Sequence, residues 1–527
     1  MGWPTMIVTA VIVYYVVFKY LRQLLKYRYY QSQGVTTTYF PMPIVGSLLK
    51  FRDLVQDPKF KKLHFKQQNG VIYINDPELS YQILVEKGQF IDREQKQRSQ
   101  FEQLLGQSLL QLKIGTKYYD RKRMIVEAIH STTKQELFQT IIRQIHSRVQ
   151  IWKQFYVEPK KDMELNKQII DLVSQIIQMT VFGTPNLQKK LPFKSPGKVH
   201  ELKIAQYMRI ISKLLYKRSI RFSRMISNTF DQTFFKDERG LKRNITNFRN
   251  RVIEMVKERK ILIKNTTKDQ NQKESKSSNS KDIDFMSQLI MIKEPDELKT
   301  EQIADECIAF MHQSQANLCQ FIQDLFEQII TNDSVYCKLK SELDKVFQLN
   351  FLRDLNAKQM DKLITIKTLG GLSYLDNVVN ETLRMFPPQP FTSTFSFVKD
   401  IKINDKLCIK KGQGMQVNIK YLHNEQAYWK DPLFFNPDRF NKDSPQLTLI
   451  QNQQQNKSIS FCPFSFGQRS CLGQRYTINI AKALVVVIFS LLEFKLLGRK
   501  ILPYDENERD EVKDYIEKQM IVAVYNM

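Results

Sequence analysis

Phe464-Ser-Phe-Gly-Gln-Arg-Ser-Cys-Leu-Gly473 is the stretch around which the other motifs of the chain fall into place. Cys471 sits near its end, between Gly467 and Gly473. Glycine accepts unusual dihedrals and close backbone approach, so the two suit a turn that brings backbone donors toward a sulfur. Arg469, two residues before the cysteine, carries a planar fork of donors suited to a carboxylate. A cysteine in such a turn has two readings: a thiolate presented to a metal, or a small buried hydrophobe. After it, residues 476–492 read as a mostly apolar helix lying behind the sulfur.

The totals bound the rest. The 527 residues (62.4 kDa) would allow several average domains; one large catalytic domain, 31–527, behind a short anchor, 1–30, is the preferred division. The formal charge of +26 permits a nucleic-acid, anionic-membrane or acidic-protein partner. No nucleic-acid motif accompanies it, so no nucleic-acid partner is expected. The six cysteines form no C-x-x-C pair, which argues against a disulfide framework and fits a reducing compartment.

From the start of the chain, residues 3–18 are uncharged and rich in Ile, Val, Tyr and Phe, the short end of what spans a bilayer. Lys19, Arg22, Lys26 and Arg28 follow, and by the positive-inside rule they hold the downstream chain in the cytosol. An uncleaved signal-anchor is expected. Val71-Ile-Tyr-Ile reads as a strand, and Asp76-Pro-Glu-Leu79 as a helix start with Pro in its first turn. Residues 199–227 mix apolar residues with Lys203, Arg209, Lys213, Lys217, Arg218, Arg221 and Arg224, which suits either a membrane surface or a core helix with a wet basic face. The polar run 264–281 predicts a disordered loop. Residues 300–330 predict a long helix with Thr300 as its N-cap.

The Cys471 stretch resembles the cysteine-ligand loop of the cytochrome P450 family. Two further motifs stand in the family's order. The first is Glu381 and Arg384, at i, i+3 in a helix closed by Pro387-Pro388; the second is Phe435-Asn-Pro-Asp-Arg-Phe440, whose Arg439 the resemblance places against Glu381. Together they imply a buried structural network. The match covers roughly residues 40–527.

The resemblance implies a mainly α fold with small β-sheets (α+β), the cytochrome P450 fold behind an N-terminal membrane anchor helix. It implies haem b on Cys471, with Phe464, Gly467, Arg469 and Gly473 shaping that side of the cofactor. A helix opening at Gly115 resembles the one that sends a Trp and an Arg to a haem propionate; here those places hold Tyr118 and Lys122, with Arg123 adjacent. A solvated basic helix end is the other reading of that segment. The family's central helix carries Ala-Gly-x-Asp/Glu-Thr, where this chain has Gln313, Ser314, Ala316 and Asn317. Ser314 and Asn317 are the catalytic candidates at that place, and His312 is expected to be a packed or pocket-lining residue rather than a ligand.

Residues 472–527 are too few for a flavin domain, so NADPH is expected to act through a separate cytochrome P450 reductase, with cytochrome b5 as a second donor. The implied activity is insertion of one oxygen atom into a small apolar substrate, on the cytosolic face of the endoplasmic reticulum membrane. A haem-thiolate isomerase or dehydratase of hydroperoxides, needing no reductase, and a non-catalytic haem protein stay open on the sequence.

Overall fold

The computed structural model describes residues 24–37, 63–66, 71–132, 135–195, 198–219, 236–270, 284–292, 297–405, 407–501 and 518–526, with 13–14, 17–18 and 21–22. In chain order the principal elements begin with β1 (Thr36–Thr37), β2 (Leu63–Lys66), β3 (Val71–Ile74), α1 (Pro77–Tyr81), β4 (Ile91–Arg93), α2 (Gln95–Leu105), α3 (Thr116–Thr132) and α4 (Gln135–Trp152). Then come β5 (Met163–Glu164), α5 (Leu165–Phe182), β6 (Lys190–Ser195), β7 (Lys198–Lys203), α6 (Ile204–Ser219), α7 (Lys236–Gln270) and α8 (Phe285–Met291). Next are α9 (Thr300–Thr331), α10 (Asp333–Phe347), α11 (Ala357–Leu363), α12 (Ser373–Met385), β8 (Phe395–Phe397), β9 (Ile401–Lys402), β10 (Cys408–Ile409) and β11 (Gly414–Val417). The last are α13 (Ile419–Leu422), α14 (Pro445–Gln451), α15 (Gln474–Leu491), β12 (Leu492–Ile501) and β13 (Lys518–Asn526).

The chain divides into two compact units. The first comprises Met1–Gln97, Arg384–Phe435 and Arg439–Cys471. Its frame is a mixed six-stranded sheet in the order β1-β2-β3-β11-β8-β4. The expected strand at Val71 is β3, paired parallel with β11 from Val71↔Gly414 to Ile74↔Val417. Ile72, Ile74, Met415 and Val417 are fully buried there. Each such side chain contributes about 1.5–3 kcal/mol on burial. The helix predicted after it is α1: Pro77 opens it and the Asp76 carboxylate accepts the Leu79 N–H at 2.7 Å. The same core takes in Phe395, Phe397, Ile459 and Cys462, so the strands and the segment leading to the cysteine loop share one apolar cluster.

The second unit comprises Arg98–Leu383, Asn436–Asp438 and Leu472–Met527. It is mostly helical, with the small sheets β12-β13-β5 and β6-β7 at its margins. The 32-residue α9 is its spine, buried from Ile303 through Ile308 and again at Leu318, Ile322, Leu325 and Ile329. Its first residue is Thr300, but the N-cap is Lys299, one residue earlier than expected. The Gln302 side chain accepts the Lys299 N–H at 3.0 Å, so a side chain from inside the first turn replaces the expected threonine cap. Helix α15 is long and apolar enough to cross a bilayer, yet 72% of it is buried inside the protein, which makes it a core helix.

Three expectations meet the structure only in part. Helix α7 runs through Gln270, so residues 264–270 of the predicted loop are helical; 271–281 lie outside the described residues. Helix propagation adds one hydrogen bond per residue and extends a strong amphipathic helix into a polar tail that would not nucleate one itself. Of the apolar run 3–18, only Val13, Tyr14, Val17 and Phe18 are described; they are helical and exposed. Of the basic segment 199–227, residues 204–219 form α6, while 220–227 lie outside the described residues.

Candidate functional site

In the first unit, the cysteine loop is held by its own backbone. The Cys471 N–H donates to Phe464 O at 2.9 Å, closing the turn, and the Ser465 N–H donates to Cys462 O at 2.9 Å. Gly467 sits at φ +79°, and a Cβ there would come within 2.4 Å of Leu84 O. Only glycine lets the loop lie against that backbone. Ser465 also takes a positive φ, of 64°, a conformation that costs a non-glycine residue of order 1–3 kcal/mol and persists where the surroundings demand it. Cys471 is exposed at the end of this turn, whereas Cys462 is 3% exposed and burial pushes its thiol up to about 12. Cys462 is therefore the inert packed cysteine, and Cys471 the one presented outward. Arg469 Nη2 donates to Asp92 Oδ1 at 2.9 Å, which anchors one nitrogen of its five-donor fork. Asp92 was not singled out in the sequence, because a short strand two residues before another charge leaves no periodic mark.

Arg384 and Arg439 of the same unit are buried and share an acceptor. Arg384 donates to His423 O at 2.9 Å and to Phe434 O at 3.5 Å, and its guanidinium lies 5.3 Å above the Trp429 ring. Arg439 donates to Lys430 O, to Asp431 O at 2.7 Å and to Phe434 O at 3.2 Å. In the second unit Glu381 is fully buried and accepts the Asn436 N–H at 2.8 Å. Within the first unit the two arginines thus hold the backbone of 423–434, and within the second Glu381 holds that of Asn436.

In the second unit, the centre of α9 holds Asn317 and Ser314, both half-buried. The Asn317 amide nitrogen donates to Gln313 O at 2.9 Å, within its own helix. His312 is packed as expected: its Nδ1 lies 2.8 Å from Ser212 Oγ, and its ring is 5.2 Å from Phe101. Tyr118 is buried, with Lys122 Nζ 6.0 Å from its ring centroid, and Arg123 is exposed.

The buried charge on α3 is instead Arg121, which the sequence reading passed over. Its Nη1 donates to Glu306 at 2.9 Å, and Glu306 also accepts the Leu109 N–H at 2.8 Å. The adjacent Asp305 accepts the Gln107 N–H at 2.7 Å and pairs with Arg249 at 2.5 Å. Two consecutive carboxylates of α9 therefore hold the 106–109 turn. Gly106, at φ +50°, makes room, since a Cβ would fall 2.1 Å from Asp305. Burial pushes the Glu306 carboxyl up to about 7, against the pull of Arg121 and the Leu109 N–H. The signal was present: Asp305-Glu306 interrupts the apolar run of 303–311, where acids are costly unless paired. An open cavity of about 510 Å³ beside them is lined by Glu102, Gln107, Arg249, Lys299, Glu301 and Asp305.

Comparison with known proteins agrees with this picture. Residues 39–513 match the family model for cytochrome P450. Cytochrome P450 4F5 of Rattus norvegicus is 25% identical over 77% of this chain and 70% of its own length. Cytochrome P450 4d2 of Drosophila melanogaster is 23% identical over 89% of this chain and 90% of its own. The crystal structure of the cytochrome P450DA haem domain superposes with a TM-score of 0.60 at 16% identity, covering 87% of this chain and 88% of that one, which establishes the fold. That family and fold imply a haem held by a cysteine thiolate. The residues fit it: an exposed sulfur ends a backbone-closed turn whose glycine admits no side chain. This chain belongs to the cytochrome P450 family and is a monooxygenase of the oxidoreductase class.

Proposed function

We propose that the chain inserts one oxygen atom from O2 into a C–H bond of a small apolar substrate, with Cys471 as the haem ligand and NADPH electrons arriving through a separate reductase. The balance is substrate, O2, NADPH and a proton giving alcohol, water and NADP+. The observation that carries the reading is the exposed Cys471 at the end of a turn closed by its own N–H. Bound there, haem b would supply oxygen activation and one-electron chemistry. In this reading Phe464, Gly467 and Gly473 shape the loop that carries Cys471, and Arg469, Tyr118, Lys122 and Arg123 would be the donors to the haem carboxylates. Asn317 and Ser314 orient water for proton delivery. Cytochrome b5 is a second electron donor in this reading, and the run 3–18 with the basic residues after it anchors the chain in the endoplasmic reticulum membrane, catalytic part cytosolic.

A relative whose name states an activity, the ultra-long-chain fatty acid omega-hydroxylase of Homo sapiens, is 28% identical over 42% of this chain and 38% of its own length. Fatty acids are therefore the first substrates to test. The experiment combines purified protein, reductase, NADPH and a fatty acid series, with products read by mass spectrometry. Hydroxylated product that requires both reductase and NADPH is the expected result. Turnover of a hydroperoxide without either would replace the proposal with an isomerase.

A further inference from the structure

His423, directly after α13, is fully buried and joins two motifs that lie far apart in the chain. Its Nε2 accepts the Cys462 backbone N–H at 2.9 Å. Its Nδ1 lies 3.2 Å from Arg384 O, a carbonyl that can only accept, so Nδ1 carries the proton. Its own carbonyl accepts from the Arg384 guanidinium. The ring packs on Phe461 at 5.0 Å, and Trp429 Nε1 donates to Leu422 O beside it at 3.1 Å. Cys462 in turn accepts from the Ser465 N–H, and Phe464 accepts from the Cys471 N–H. A run of hydrogen bonds and short backbone steps thus leads from Arg384 through His423 to the sulfur-bearing residue.

We propose that His423 is a positioning residue for the Cys471 thiolate: a neutral Nδ1–H imidazole that fixes Cys462, two residues before the cysteine loop, to the end of α12. The role needs one donor and one acceptor on a rigid ring. An imidazolium has two donors and no acceptor, and would drop the Cys462 N–H. Among the described contacts, Arg384 of α12 is the charged group that meets it, the Cys462 main chain meets its Nε2, and the Phe461 ring packs against its face. The inference rests on Cys471 being the haem ligand, but its first readout does not.

The test compares the haem-loaded wild-type protein with His423→Phe and His423→Gln. Phe fills the ring's place without an acceptor, while Gln offers both a donor and an acceptor. Backbone amide exchange by mass spectrometry reads the 459–471 segment. The reduced carbon-monoxide spectrum reads the fraction of thiolate ligation. His423→Phe is expected to speed exchange at Cys462 about tenfold, which is ~1.4 kcal/mol, and to convert much of the thiolate signature to that of a neutral thiol. His423→Gln is expected to restore most of both. Unchanged exchange and spectrum in His423→Phe would overturn the proposal, as would His423→Gln behaving like His423→Phe. Should His423→Phe not fold, acid titration of wild type against His423→Gln decides: only the imidazole loses its acceptor, so only the wild type should lose the thiolate signature early. Coincident titrations would overturn the proposal. A wild-type protein without any thiolate signature would refute the ligand reading instead.

Discussion

Cys471 and Cys462 stand nine residues apart with opposite surroundings, one exposed at the end of a strained turn and one sealed in an apolar cluster. Cys471→Ala is expected to abolish the thiolate signature of the reduced carbon-monoxide spectrum. Cys462→Ala should keep it at a cost of roughly 1 kcal/mol in stability, because its bond to His423 runs through the main chain. The reverse pattern would sink the ligand assignment. Glu306 carries the second expectation at this scale. Its folded carboxyl lies at about 7, raised by burial from the ordinary 4.5. The stability it contributes is therefore complete below 4.5 and is lost as pH rises through about 7. Glu306→Gln stays neutral throughout, so its thermal unfolding should vary less with pH over that window than the wild type's. Parallel curves would show that Arg121 holds Glu306 ionised.

At the scale of elements, α9 and α12 carry the features most particular to this chain. In α9 the Asn317 amide donates to its own helix, and an amide is not readily deprotonated, which makes it a poor proton relay. Ala316 supplies no acid to feed a relay. Much of the NADPH consumed should therefore end as peroxide, and Asn317→Thr should raise the ratio of product to NADPH, most of all combined with Ala316→Asp. Tightly coupled turnover by the unmodified protein would refute this and leave the family untouched. In α12, Glu381 is fully buried, and its carboxylate holds the Asn436 N–H. Removing one member of a buried charged network costs about 3–5 kcal/mol, so Glu381→Ala should misfold or fail to retain haem. Normal yield with full haem content would show that the segment folds without that contact.

For the whole molecule, the formal charge of +26 is the feature a partner meets first. Steering by a basic surface accelerates encounter with an acidic flavoprotein and fades as salt shortens the Debye length to about 8 Å at physiological ionic strength. Raising salt from low to physiological strength is expected to raise the apparent KM for reductase severalfold with little change in kcat, read by steady-state turnover across a salt series. A flat KM would assign the charge to a solvated surface without a role in association.

The residues alone determined the family, through a loop that resembles its cysteine-ligand loop, a Glu-x-x-Arg helix and an Arg439 segment in the family's order, because each motif is local and its spacing survives without knowledge of the fold. Strand β3 and the start of α1 were legible for the same reason: a four-residue apolar run and an Asp-Pro cap act within their own turn. Motif spacing already pointed to Cys471, but its exposure and the burial of Cys462 come only from tertiary structure, since they depend on Leu84, Ile459 and the strands around them. Tertiary structure also decided that Arg121, not its neighbours, is the buried cation of α3, and that Asp305-Glu306 grips a turn nearly 200 residues away. His423 was invisible for a related reason. A single histidine has no spacing to betray it, and its role comes from two partners, each 39 residues away in opposite directions along the chain, that only folding brings to its two nitrogens.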